Sequence, residues 1–168
     1  MFDPNPTHIA IKRALQDGIS PTVDGLSVRQ LMPGFDLLDA NKNTINYSWV
    51  QTHTADNVDE LVYGGIKDSD SKVVVIYAVQ AVIDTTLYTS TLRFEGGSSV
   101  KDIIDIQRLA IGAGSSATNM TVGIHPPIMY GKNQTAKIYF HTKAGATGNS
   151  DNIILIGVVA ERRGDHIA

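Results

Sequence analysis

The chain contains no cysteine. That excludes disulfides, thiolate metal sites and thiol nucleophiles in one step. Tryptophan occurs once, and aromatic residues make up only 7% of the sequence. The aromatic stripe of a sugar-binding surface is therefore missing, and Trp49, in an alternating segment, reads as core. Neither sign of charge predominates: 14 basic residues are scattered among 17 acidic ones, for a formal net charge of -3. Domains that grip phosphate backbones gather Lys and Arg on one face. Here the only adjacent basic pairs are Lys12-Arg13 and Arg162-Arg163, so no nucleic-acid partner is expected. The longest apolar runs, Val73 to Ile83 and Ile153 to Ala160, are too short to span a bilayer, and no membrane partner is expected. The opening Met1-Phe2-Asp3-Pro4-Asn5-Pro6 carries neither the basic nor the apolar stretch of a secretory signal. The expectation is a soluble protein made in a cytoplasm, with the sequons at Asn46, Asn119 and Asn133 as chance matches.

Catalytic and metal-binding patterns are also lacking. The five histidines (His8, His53, His125, His141 and His166) form no H-x-H, H-x3-H or H-E-x-x-H pair, so no metal and no cofactor is expected. No serine occupies a G-x-S-x-G elbow. The run Gly112-Ala113-Gly114-Ser115-Ser116 reads as a flexible loop, since the Lys of a phosphate loop does not follow it. Asp68 with Asp70, and Asp102 with Asp105, suit solvated turns and faces, with too few ligands for Ca²⁺. Arg163-Gly164-Asp165 matches an integrin-binding tripeptide but reads as a charged tail. These patterns favour binding and assembly over catalysis, so the chain is not expected to be an enzyme. A cupin-like metal enzyme, with His125 and His141 converging on a carboxylate, is the least favoured alternative.

What is present is alternation. Thr7 stands where a helix N-cap would, Ile9, Ile11, Ala14 and Leu15 follow, and Gly18 stops the run, which predicts one short helix over about 8–17. Pro21, Gly25, Pro33 and Gly34 punctuate the stretch from 20 to 43, which is too apolar for a free linker. From Thr44 the period becomes two, with strands expected around 45–49, 58–66, 72–83, 87–94, 120–124, 128–130, 136–142 and 153–160. Residues 100–111 suit either a helix or a strand. The fold class expected is mainly β, an antiparallel β-sandwich or jelly roll. An N-terminal arm over 1–43 would carry the short helix, and the β-domain would cover 44–168.

The two longest strands are apolar on both faces. Val73, Val75, Tyr77, Val79, Ala81 and Ile83 oppose Val74, Ile76, Ala78, Gln80 and Val82, and Ile153, Leu155 and Val159 oppose Ile154, Ile156 and Val158. An antiparallel strand with one wet face alternates cleanly, so a second cover is needed. It could be the chain's own arm, a sister subunit or another protein. The candidate assembly surface comprises Ile9, Ile11, Leu15, Leu31 and Phe35 of the arm with Val74, Ile76, Ile154, Ile156 and Val158 of the strands.

The strand order, the alternating Ala136 to Thr142 and the closing run Asp151 to Val159 after a Gly/Ser/Asn loop resemble the capsid decoration (cement) proteins of tailed bacteriophages. The resemblance covers about residues 44–163. It implies a jelly-roll homotrimer on the head exterior, bound to the major capsid protein, with the arm lying along the capsid or a neighbouring copy. Removing residues 1–43 is then expected to leave a folded domain that no longer binds particles. The alternative is a carbohydrate- or receptor-binding jelly roll of a viral fibre or lectin type, with a shallow site at Lys143, Asn149 and Asp151.

Overall fold

The computed structural model describes residues 5–19, 25–83, 86–107 and 118–163. The expected loop at 112–116 and the Gly164-Asp165 part of the integrin-like tripeptide lie outside them.

Asn5 opens the first helix, α1 (Pro6–Gln16), its side-chain oxygen accepting the Thr7 backbone N–H at 2.9 Å. Pro6 fills the first helical position, where its missing N–H costs nothing. The cap is thus Asn5, and Thr7 lies inside the helix. Beyond Gly18 the chain forms β1 (Leu26–Gln30), a single turn α2 (Pro33–Asp36) and the two-residue β2 (Leu37–Leu38). The remaining strands are β3 (Val50–Thr52), β4 (Asp59–Tyr63), β5 (Gly65–Ile66), β6 (Lys72–Ile83), β7 (Thr89–Gly96) and β8 (Ser99–Asp105). β9 (Thr118–Tyr130), β10 (Ala136–Thr142) and β11 (Ser150–Arg162) complete the chain.

All pairings are antiparallel. One sheet has the order β1-β11-β6-β9, with β3 beside the start of β11, and the other β4-β10-β7-β8. β2 and β5 form a separate ribbon. The inner faces of the two sheets make one core: Val74, Ile76, Val79, Leu155 and Val159 from the first meet Leu92, Phe94, Ile138 and Phe140 from the second. Tyr63 stands edge-on to both Phe140 and Trp49, the preferred geometry of aromatic neighbours.

The expected strands at 72–83 and 136–142 match β6 and β10 residue for residue. The ambiguous 100–111 segment is strand through Asp105, because β8 is held by the β7 ladder. The strands expected at 120–124 and 128–130 are one continuous β9, with Pro126-Pro127 inside it. There the register against β6 shifts between Ile76 and Ala78, the disruption that lets a sheet hold residues without a donor N–H. The segment around Ile45, Tyr47 and Trp49 is not a strand; Ile45 and Trp49 pack on the core and Tyr47 is 68% exposed.

The shift at Tyr77 also corrects the expected faces of β6. Ile76 pairs with Gly157 and Ala78 with Ile156, so one extra residue stands on the β6 side. An inserted residue exchanges the two faces beyond it. Val74 and Ile76 therefore point inward together with Val79 and Ala81. Gly157 makes this close crossing possible: a Cβ there would lie 2.5 Å from the Val75 carbonyl oxygen and 3.2 Å from the Ile76 Cα. Neither backbone atom can swing away, so Gly157→Ala is expected to lose about 1–3 kcal/mol, the scale of an overpacked core. Urea unfolding of the variant checks this.

The second faces of β6 and β11 are covered in part by α1. Ala10 and Ala14 bring the helix down onto Val73, Val75 and Ala160, with Ile19 closing the end, and all six are buried. Small residues at the contact let the helix approach the sheet closely. Asp17 then ties the helix end to the β9–β10 turn by accepting the Lys132 backbone N–H at 2.7 Å. From Leu26 onward the supposed arm is part of the sandwich: β1 pairs with β11, and Leu31 and Leu37 lie in the main core.

Candidate functional site

The candidate surface residues separate into three groups. Val74, Ile76 and Leu31 are core and unavailable to any partner. Ile9 and Val158 are half-buried where α1 meets the sheet, and Ile11 is half-buried on α1 outside that contact. Leu15 and Phe35 are exposed, at 52% and 37%, while Ile154 and Ile156 are half-buried on the outer face of β11, outside the cluster that α1 covers. Pairing puts Ile156 beside Ala78, Ile154 beside Gln80 and Asn152 beside Val82. A groove of about 550 Å³ runs along this region, lined by Pro6 and Thr7 of α1, Tyr77 and Ala78 of β6, His125 of β9 and Val158 of β11. A second exposed apolar cluster sits around α2, where the Phe35 and Tyr47 rings meet at a tilt with centroids 5.1 Å apart and Met32 is 39% exposed.

Two buried charged clusters were not anticipated from sequence. In the first, Arg29 (β1) grips Asp36 (α2) through two parallel bonds of 2.8 and 2.7 Å and Glu161 (β11) through its Nε at 2.7 Å. Lys72 (β6) reaches Asp36 at 3.2 Å, the Phe35 carbonyl at 3.1 Å and Glu161 at 3.9 Å. Asp36 and Glu161 are wholly buried, where a carboxylate needs partners of this kind. The Asp36 bonds, against the pull of burial and with help from Glu161, hold the Arg29 guanidinium above its ordinary pKa.

The second cluster centres on His53. Its Nδ1 lies 2.8 Å from Glu60 (β4) and its Nε2 2.9 Å from Asp151 (β11), with the ring fully buried. Thr89 (β7) donates its hydroxyl to Asp151 at 2.7 Å, and the Tyr88 backbone N–H does so at 2.9 Å. Burial pulls the imidazole pKa down, but the bonds to Asp151 and Glu60 outweigh it and raise the value. Burial pushes both carboxyls up, and their hydrogen bonds outweigh that too, leaving both below the ordinary carboxylate range. The carboxylates sit at opposite nitrogens of the ring, so they do not converge on a common point. Among the described residues no group of three His, Cys, Asp or Glu side chains could hold a metal ion.

Of the sugar-site trio, Asp151 is buried in this cluster and Asn149 spends its amide on the Gly145 carbonyl at 2.8 Å. Lys143 alone is left to face a ligand. The outer face of the second sheet carries a more exposed set: Arg93 lies 4.4 Å over the Tyr139 ring and pairs with Asp59, which also meets His141 at 2.6 Å. Arg93 also bonds Glu95 through its Nε at 2.8 Å, so the charged groups of this face are engaged with one another.

No protein-family model, no curated protein and no solved structure matches the chain.

Proposed function

We propose that this chain is a structural assembly protein of a virion: a jelly-roll capsid decoration protein that forms a homotrimer on the major capsid protein of an icosahedral head. The jelly-roll reading is supported by the pairing order. Taking β1, β4, β6, β7, β8, β9, β10 and β11 as the principal strands, the first pairs with the eighth, the second with the seventh, the third with the sixth and the fourth with the fifth. Such nesting describes one long antiparallel ribbon rolled onto itself, which is how a jelly roll closes two sheets with few exposed edges.

The observation that carries the assembly reading is the outer face of β11 beyond α1. Ile156 stands there beside Ala78, which lines the groove at Tyr77, and Ile154 beside Gln80, both outside the cluster with which α1 covers the rest of that face. A chain that spends a helix on half of a sheet and leaves two isoleucines on the other half has a surface suited to a symmetric copy or a scaffold.

Replacing Ile154 and Ile156 with Asp tests it. Completing the burial of two half-buried isoleucines contributes about 1.5–3 kcal/mol together, so the association constant is expected to fall by about 10- to 100-fold while the monomer stays folded. Light scattering behind size exclusion reads the mass, and sedimentation with purified capsid shells reads particle binding. A wild-type chain that is a monomer at micromolar concentration and ignores shells would sink the proposal.

A further inference from the structure

We propose that His53 is carried as a buried imidazolium at neutral pH, serving as the structural cation that latches one end of the sandwich, and that raising the pH opens this end before the rest. The ring joins both sheets, touching Glu60 on β4 and Asp151 on β11, with the Thr89 hydroxyl of β7 at 3.3 Å from Nε2. A neutral imidazole has one N–H to donate, whereas here each ring nitrogen faces a carboxylate oxygen. One of them would meet a lone pair unless one carboxyl took up the proton.

The carboxyls are built to stay ionised. Glu60 accepts the Thr54 backbone N–H at 2.6 Å, the Thr54 hydroxyl at 2.6 Å and the Ala55 N–H at 3.0 Å. Asp151 accepts the Tyr88 N–H and the Thr89 hydroxyl. All five are donors that favour the charged form. Among the described residues neither carboxylate pairs with a lysine or arginine, so His53 is the cation that both have.

The same residue anchors a loop. The His53 N–H donates to the Asn149 carbonyl at 2.9 Å and its carbonyl accepts the Gly148 N–H at 2.9 Å. Three positions on, Asp56 takes the Gly145 N–H at 2.9 Å and the Thr147 N–H and hydroxyl at 2.7 Å, which holds its pKa down at about 2. Residues 143–149 therefore hang on the segment that His53 pins between the sheets.

The protonated ring gains its partners on folding. Its contribution is complete below the pH at which an unfolded histidine titrates, about 6.5, and is lost as pH rises through the higher folded value. Glu60 and Asp151 act at the other limit: their contribution is present above the ordinary carboxylate range and drains away as pH falls through their lowered values.

Nitrogen-detected NMR of the imidazoles in the full chain, over pH 5 to 10, tests the assignment. Both His53 ring nitrogens are expected to carry protons at pH 7, and one of them to lose its proton only at higher pH. As that proton is lost, the amides of Gly145, Thr147 and Gly148 should exchange about tenfold faster than base catalysis alone explains, while those of Val74 to Ile76 do not. A bare ring nitrogen at pH 7, a midpoint at or below that of free imidazole, or loop protection that does not follow the titration would each overturn the proposal. His53→Gln supplies a second reading where it folds, since its loop exchange should be fast at neutral pH and free of this transition.

Discussion

A chain lacking residues 1–43 is expected not to fold at all, whereas one lacking only 1–19 should retain a weakened sandwich. The difference lies in what each cut removes. Residues 1–19 carry α1, and their loss uncovers Val73, Val75 and Ala160 on an outer face while the main core keeps every member. The longer cut takes Leu31 and Leu37 out of that core, each contributing about 1.5–3 kcal/mol by burial. It also takes β1 from the edge of β11, exposing its ladder from Val158 to Arg162. Finally it removes Arg29 and Asp36 together, so that Lys72 and Glu161 are left as a pair 3.9 Å apart where four charges had balanced. A broken buried ion pair alone costs about 3–5 kcal/mol, and a whole domain has only about 5–15 kcal/mol to lose. Far-ultraviolet circular dichroism and urea melts of the two truncations separate these outcomes. A cooperative transition in the 44–168 fragment would contradict the fold as described.

That result would reverse a reading of the sequence in which 1–43 was an arm. The reason for the misreading is physical. Alternation marks a strand only where one face is wet, as in β10, whose Ala136, Ile138, Phe140 and Thr142 point inward and whose bounds were legible to the residue. β1 is five residues long, is partly buried along most of its length and is bounded by glycine and proline, so nothing in Leu-Ser-Val-Arg-Gln distinguishes it from a loop. The bulge at Tyr77 was equally hidden. It is set by the glycine across the ladder, eighty positions further along the chain, and it inverted the inner and outer halves of β6. Val74 and Ile76 were assigned to a surface for that reason alone. The need for a cover over the second face was legible; that α1 supplies it for Val73 and Val75 follows from Ala10 and Ala14, whose small size looks unremarkable in the sequence.

The buried charges were illegible for a different reason. Arg29 and Glu161 are 132 positions apart, and His53 and Asp151 are 98 apart. No spacing rule connects such residues, and each sits in a stretch of ordinary polarity. One signal was available in principle: Asp151 and Glu161 flank the apolar run of β11 on strand positions that alternation assigns to the inside, where a carboxylate requires a partner. A buried acidic residue announces that a cation exists without saying which. As a lone histidine in the sequence, His53 suggests at most a metal ligand; the structure makes its ring the shared partner of Glu60 and Asp151.

Asp36→Ala is expected to cost about 3–5 kcal/mol, the largest effect of any single substitution in the two charged clusters, because it leaves Arg29 and Lys72 facing one carboxylate. The side chain also accepts the Met32 backbone N–H at 2.8 Å, a bond that fixes the turn of α2 and is lost in the same variant. The part-buried surface pair Arg13–Asp17 provides the control: with the Arg13 side chain 38% exposed, Arg13→Ala should change stability by no more than about 1 kcal/mol, since water screens much of what that contact gains. Double-mutant cycles in urea divide the cluster further. The bidentate Arg29–Asp36 pair should couple more strongly than Lys72–Asp36, whose single bond is longer. Removing all four charges at once, with apolar residues of similar volume, should cost far less than removing Asp36 alone, because no ion is then left unpaired in the interior. If the fourfold variant proved as unstable as Asp36→Ala, the loss would lie in packing around α2 and not in stranded charge. The ranking of these variants therefore distinguishes a cluster that holds the fold together from one that is merely costly to break.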